Sequence, residues 1–143
     1  ERYSGRGDLT LVDGITGTTS YSDGFWQGWK STDIDVIIDL EKIEKLDKIS
    51  VGFLESHQSW IFLPSQVSFS FSKDGISFGS NQKINVIGGE QYGDPNRYSA
   101  EATNLNIEAS YVKVIAKCQT VCPQWHAGAG GKTWLFADEI VVE

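Results

Sequence analysis

Residues Val67-Ser68-Phe69-Ser70-Phe71-Ser72 alternate apolar and hydroxyl side chains without a break. A helix cannot produce a period of two, so the run predicts a strand with one face on a core and the other in solvent. Lys73-Asp74-Gly75 supplies a hairpin turn, with glycine relieving positive-φ strain, and residues 76–78 begin the return strand. Asp35-Val36-Ile37-Ile38-Asp39-Leu40, Lys48-Ile49-Ser50-Val51-Gly52-Phe53-Leu54, residues 110–118 and residues 132–143 are further strand candidates, rich in β-branched and aromatic side chains. Only residues 40–46 have helical composition, and they are too few for more than a turn. Strands at short intervals without βα alternation predict an antiparallel β-sandwich.

Long irregular connections carry most of the tryptophan: YSDGFWQGW (21–29), ESHQSWIFLP (55–64) and residues 118–134. Loops of a sandwich cluster at its two ends, where segments distant in sequence converge on one concave site. At 143 residues the chain has the size of one domain with its own core. It lacks methionine, even at position 1, and is expected to be a single module, residues 1–143, excised from a larger protein. A formal charge of -7 argues against nucleic acid, whose affinity comes from Lys and Arg on phosphates, and against anionic membrane surfaces. Neutral partners are the natural expectation. No apolar run reaches bilayer-spanning length. Cys118 and Cys122 are four apart, a spacing that leaves open both a small-loop disulfide and two thiols.

Each tryptophan has two readings. Trp26, Trp29, Trp60, Trp125 and Trp134 plug the ends of the sandwich, or some form an apolar platform for the C–H face of a sugar, flanked by groups that pair with its hydroxyls. Trp134, in the alternating run Trp134-Leu135-Phe136, is expected in the core. Trp125-His126 followed by Lys132, and His57-Gln58-Ser59-Trp60, have the composition of a platform; Trp26 and Gln27 are added from the first loop.

Catalysis has less support. There is no Gly-x-Ser-x-Gly elbow, and the two histidines are 69 positions apart without a nucleophile beside either. Gly130-Gly131-Lys132-Thr133 ends like a phosphate loop but has His126 where that motif needs glycine. Arg6-Gly7-Asp8 is a tripeptide that chance supplies. The run from Leu9 to Thr18 combines a carboxylate, hydroxyls and a glycine bend, which suits either a hard cation such as Ca²⁺ or an Asp-Gly turn with no metal.

In order along the chain, Leu11-Val12-Asp13-Gly14, Asp23-Gly24-Phe25-Trp26-Gln27-Gly28, Val36-Ile37-Ile38-Asp39-Leu40, Lys48-Ile49-Ser50-Val51, the run 67–75, Tyr111-Val112-Lys113-Val114 and Ala137-Asp138-Glu139-Ile140-Val141-Val142 resemble discoidin-like domains. These are also called coagulation factor 5/8 type C domains and include the family 32 carbohydrate-binding modules. No single piece is specific; the ordered series is. The resemblance implies an eight-stranded jelly-roll-like sandwich that binds terminal sugars of the galactose, N-acetylgalactosamine or N-acetylglucosamine type without catalysis. It further implies attachment to a secreted, periplasmic or cell-surface bacterial glycoside hydrolase. It also implies a structural Ca²⁺ held by the carboxylates of Asp13 and Glu139, the hydroxyl and carbonyl of Thr18, and the carbonyls of Thr10, Ile15 and Asp138. Sugar contacts would come from Trp125, His126, Trp60, Lys132, His57, Trp26 and Gln27. The alternative is an accessory domain that packs on its catalytic neighbour and binds nothing. Behind these stand a membrane- or protein-adhesion domain, disfavoured by the acidic charge, and a small glycosidase.

Overall fold

The computed structural model describes residues 11, 12 and 14–143. The strands are β1 (Gln27–Lys30), β2 (Ile34–Leu46), β3 (Ile49–Glu55), β4 (Gln66–Ser72), β5 (Gly79–Asn85), β6 (Asn96–Ala102), β7 (Ile107–Lys117) and β8 (Trp134–Val142). They form two four-stranded sheets, β1-β8-β3-β6 and β2-β7-β4-β5, and all the strand pairs are antiparallel. The main core lies between the sheets, where Val67, Phe69 and Phe71 of the alternating run meet Ile49, Val51, Phe53, Leu135 and Ala137. The sandwich is the one the sequence pattern predicts.

Four departures have physical causes. Residues 40–46 continue β2 past an irregularity between Asp39 and Glu44, because Glu44, Lys45 and Leu46 pair with Ala109, Glu108 and Ile107; cross-strand pairing overrides local helix propensity. β1 is four residues long and held by its register opposite residues 134–137 of β8, while β6 (NRYSAEA) is too polar to announce itself. The return strand begins at Gly79, after a tight turn at Asp74.

That turn carries its own prediction. The Asp74 carboxylate accepts N–H bonds from Ile76 and Ser77 and the Ser72 hydroxyl bond. With the Ser77 and Ile76 amides leading, these hold its pKa down at about 2. A folded-state pKa below the unfolded value means that this contribution to stability is present above the ordinary 3.8 and is lost as pH falls towards about 2. A carboxyl-carbon NMR titration of Asp74 is expected to show a midpoint near the lower figure; a midpoint at the ordinary value would contradict the turn geometry.

A second apolar cluster, Trp26, Leu54, Ile61 and Phe136, lies on the opposite face of the first sheet, since Leu54 and Phe136 alternate with the core residues Phe53 and Leu135. On that face Gly17 lies so close to the Trp26 indole that a Cβ there would overlap the ring. Further along β8 a bulge sets Asp138 and Glu139 together opposite Gly52, between the pairs Val51↔Ile140 and Phe53↔Ala137. Asp138 is fully buried. Its carboxylate accepts bonds from Arg97 Nε at 2.7 Å and Nη2 at 3.2 Å, from Gly17 N at 2.8 Å and from Glu139 N at 2.6 Å. Gly52 leaves the space that this pair occupies: a Cβ there would meet both Arg97 and Asp138.

Candidate functional site

Ser56 and Ile61 bridge back on each other and a 3-10 turn over His57–Ser59 lies between them. The turn ends on Trp60 in the left-handed region, at φ 63°. The indole then meets the glycine loop. A Cβ on Gly128 or Gly131 would overlap the Trp60 ring, so glycine is required for the loop to lie against it. Trp60 remains 39% exposed.

It faces an open concavity of about 340 Å³ shared with Lys30, Ser59, Lys132 and Trp134. Register explains the grouping: Lys30 on β1 pairs directly with Trp134 on β8, and its ammonium lies 5.9 Å from the Trp134 ring centroid. An adjoining hollow of about 210 Å³ shares Ser59 and Trp134 and adds Tyr21 and Gln58. Trp134, expected in the core, is only partly buried. It shares with Phe136 the face of β8 opposite the core residue Leu135, and that face is covered at Phe136 but open two residues earlier.

The two histidines are internal, which departs from a role in direct sugar contact. His126 is 4% exposed. Its Nδ1 accepts the Gly128 N–H at 3.0 Å, so its Nε2 carries the proton and donates to the His57 carbonyl at 2.6 Å. His57 is 5% exposed. Its Nδ1 accepts the Tyr92 N–H at 3.0 Å, and Nε2 lies 3.3 Å from the buried Glu55 carboxylate. Glu55 in turn accepts the Gly89 N–H at 3.0 Å. Both imidazoles therefore join loops instead of presenting ring nitrogens to a ligand.

His126 stands between the two outer indoles, edge-on to Trp60 at 5.7 Å and to Trp125 at 5.8 Å, and stacks on Tyr92 at 5.1 Å. Trp125, 37% exposed, packs edge-on against Tyr92 at 5.5 Å. Trp60 and Trp125 thus flank one histidine, and Trp125 and His126 are not among the residues lining the Trp60 concavity. Trp26 is corrected from platform to plug: it is 1% exposed, and its indole N–H donates to the Thr18 carbonyl at 2.9 Å. Gln27 is half-buried in β1, opposite Ala137. Lys30 and Tyr92 were not among the residues expected at the site. Lys30 lies one position beyond a tryptophan loop, and Tyr92 is in a connection whose polar sequence gave no signal.

Of the implied calcium ligands, Thr10 and Asp13 lie outside the described residues, as does Arg6-Gly7-Asp8. The Glu139 carboxylate does meet the first loop, accepting the Gly14 N–H at 3.0 Å. This fits the joining of first loop to last strand that the resemblance implies. Thr18 fits less well. Its hydroxyl donates to Asp23 at 2.7 Å and its carbonyl accepts Trp26. Ile15 lies on the same loop with its side chain exposed. Among the described residues no three His, Cys, Asp or Glu side chains gather as a metal cluster. Cys118 and Cys122 are both free thiols, and burial raises the Cys122 pKa. No helix among the described residues is long and apolar enough to cross a membrane.

Two antiparallel four-stranded sheets packed face to face form a β-sandwich, a fold shared with solved structures of other proteins. No family model and no curated protein matches the chain; solved structures do. A fucose binding module of Streptococcus pneumoniae is similar at 17% identity and a TM-score of 0.62, over 99% of this chain and 86% of that one. The C-terminal domain of a chitobiase from Bacteroides fragilis is similar at 18% and 0.55, over 98% and 85%. The lectin domain of lectinolysin, solved with Lewis B antigen, aligns at 15% and 0.53, over 87% and 75%. At these identities the likeness is one of fold.

Proposed function

We propose that this domain binds carbohydrate without catalysis, at the concavity between Trp60 and Trp134. The observation that carries the proposal is the pairing of two part-exposed indoles in one open hollow with the polar side chains Lys30, Ser59 and Lys132. An indole face takes the C–H side of a pyranose, and the ammonium and hydroxyl groups take its oxygens. The volume is at the lower end for small-molecule sites, about 300 Å³, which suits a terminal sugar. Galactose, N-acetylgalactosamine and N-acetylglucosamine are the first candidates. The similarity to a fucose binding module adds fucose.

The similarity to a chitobiase C-terminal domain supports a role as an appended module that holds a secreted glycoside hydrolase near its substrate. A structural Ca²⁺ under the first loop is part of the proposal, with Glu139 as its anchor on the last strand. Bound there, the ion would neutralise carboxylates and fix that loop.

A single sugar on an exposed platform binds weakly, at about -4 to -8 kcal/mol, that is, micromolar to millimolar. Titration followed by tryptophan fluorescence, with calcium and with chelator, is expected to show saturable binding of at least one of these sugars. If none binds at millimolar concentration in the presence of calcium, the proposal fails.

A further inference from the structure

The sugar concavity has a charge opposite to that of the chain around it. The protein carries 19 acidic residues against 12 Lys and Arg, yet among the described residues neither the Trp60 hollow nor its neighbour has an Asp or Glu in its lining. Two lysines, Lys30 and Lys132, stand in the Trp60 hollow, both exposed. Neither has a carboxylate within ion-pair distance among the described residues, a state they share with Lys45, Lys83 and Lys113, whereas Lys42, Lys48, Lys73, Lys117 and Arg97 are each paired. Another lysine-bearing hollow shows the contrast. It is lined by Lys45, Lys73 and Glu108, and Glu108 pairs with Lys73 at 3.7 Å, so that hollow holds its own counterion.

We infer that the preferred ligand is an acidic sugar, a pyranose bearing a carboxylate or sulfate, seated on Trp60 with its anionic group between Lys30 and Lys132. This rests on the proposed carbohydrate site and refines its ligand class. Lysine is a mobile point charge without the planar fork of arginine, so it suits either a carboxylate or a sulfate. The acidic remainder of the surface repels anions at long range, so selectivity arises at contact distance, where the ammoniums lie within a Debye length of the ligand.

The experiment compares matched ligands on the whole domain: galactose against galacturonic acid, N-acetylgalactosamine against its 6-sulfate, and N-acetylneuraminic acid. Each is titrated at low and high salt, with the K30Q/K132Q double variant and with K83Q as a remote control. The expected result is that an acidic ligand binds about fivefold to tenfold more tightly than its neutral partner, each exposed pair contributing a few-fold. The preference shrinks in high salt and falls towards unity in K30Q/K132Q but not in K83Q. Whether the carboxylate or the sulfate series shows it identifies the source of the charge. Equal binding of neutral and acidic sugars, or a preference that survives K30Q/K132Q, overturns the inference and leaves the carbohydrate site standing. If no sugar of either kind binds, both fail.

Discussion

Replacing Trp60 by alanine is expected to weaken sugar binding about 30-fold or more, the ~2 kcal/mol of a residue at the centre of a recognition site. The indole is the more exposed of the two in the concavity, and its loss leaves Lys30, Ser59 and Lys132 with only Trp134 to hold a ring against. Alanine keeps a Cβ at the left-handed position, so the backbone strain there is unchanged. The glycine loop does lose its partner, and circular dichroism at the assay temperature must show the sandwich intact. The parallel substitution Trp125→Ala discriminates between the two exposed indoles. It removes a side chain packed on Tyr92 and His57 but not one lining the Trp60 hollow, and a loss of less than about threefold is expected. If Trp125→Ala abolishes binding while Trp60→Ala does not, the site is on the other side of His126.

The second large effect is on stability. Asp138→Ala is expected to cost about 3 kcal/mol, because it strands the Arg97 guanidinium and the N–H groups of Gly17 and Glu139 at a fully buried position. Arg97 is a third exposed, and water reaching its outer nitrogens keeps the figure from being larger. Asp138→Asn keeps the shape and one acceptor oxygen and should fall between. Gly52→Ala tests the same pair from beneath, since its methyl would occupy the space of both partners. Urea unfolding measures all three variants. A loss below about 0.5 kcal/mol for Asp138→Ala would mean that the first loop is held by something else.

Strand alternation revealed the sheets wherever a strand had one dry and one wet face. The run 67–72 is legible because Ser68 and Ser70 face outward between the buried Val67, Phe69 and Phe71, and only Ser72, at the turn, is itself buried. β8 is less legible, since its bulge resets the alternation after Ala137 and six consecutive residues are buried. The aromatic loops were legible as a collection, but the histidines within them were not. His126 bonds to a carbonyl 69 residues away, and composition alone cannot distinguish a ring that contacts a ligand from one that pins two loops. Trp26 and Trp60 illustrate the same limit in their glycine neighbours. Gly17 lets a loop close over the first indole and bury it, while Gly128 and Gly131 support the second from one side and leave the other open.

The way Trp60 is mounted bears on how such a site can change over generations. Its indole is steadied by backbone, at two positions where any larger residue would displace it, so the platform tolerates little variation. Of the side chains around it, Ser59 and Lys132 make no side-chain hydrogen bond or ion pair among the described residues, and Lys30 meets only the face of Trp134. Drift in ligand preference can therefore run through those tips alone, with the platform inherited intact.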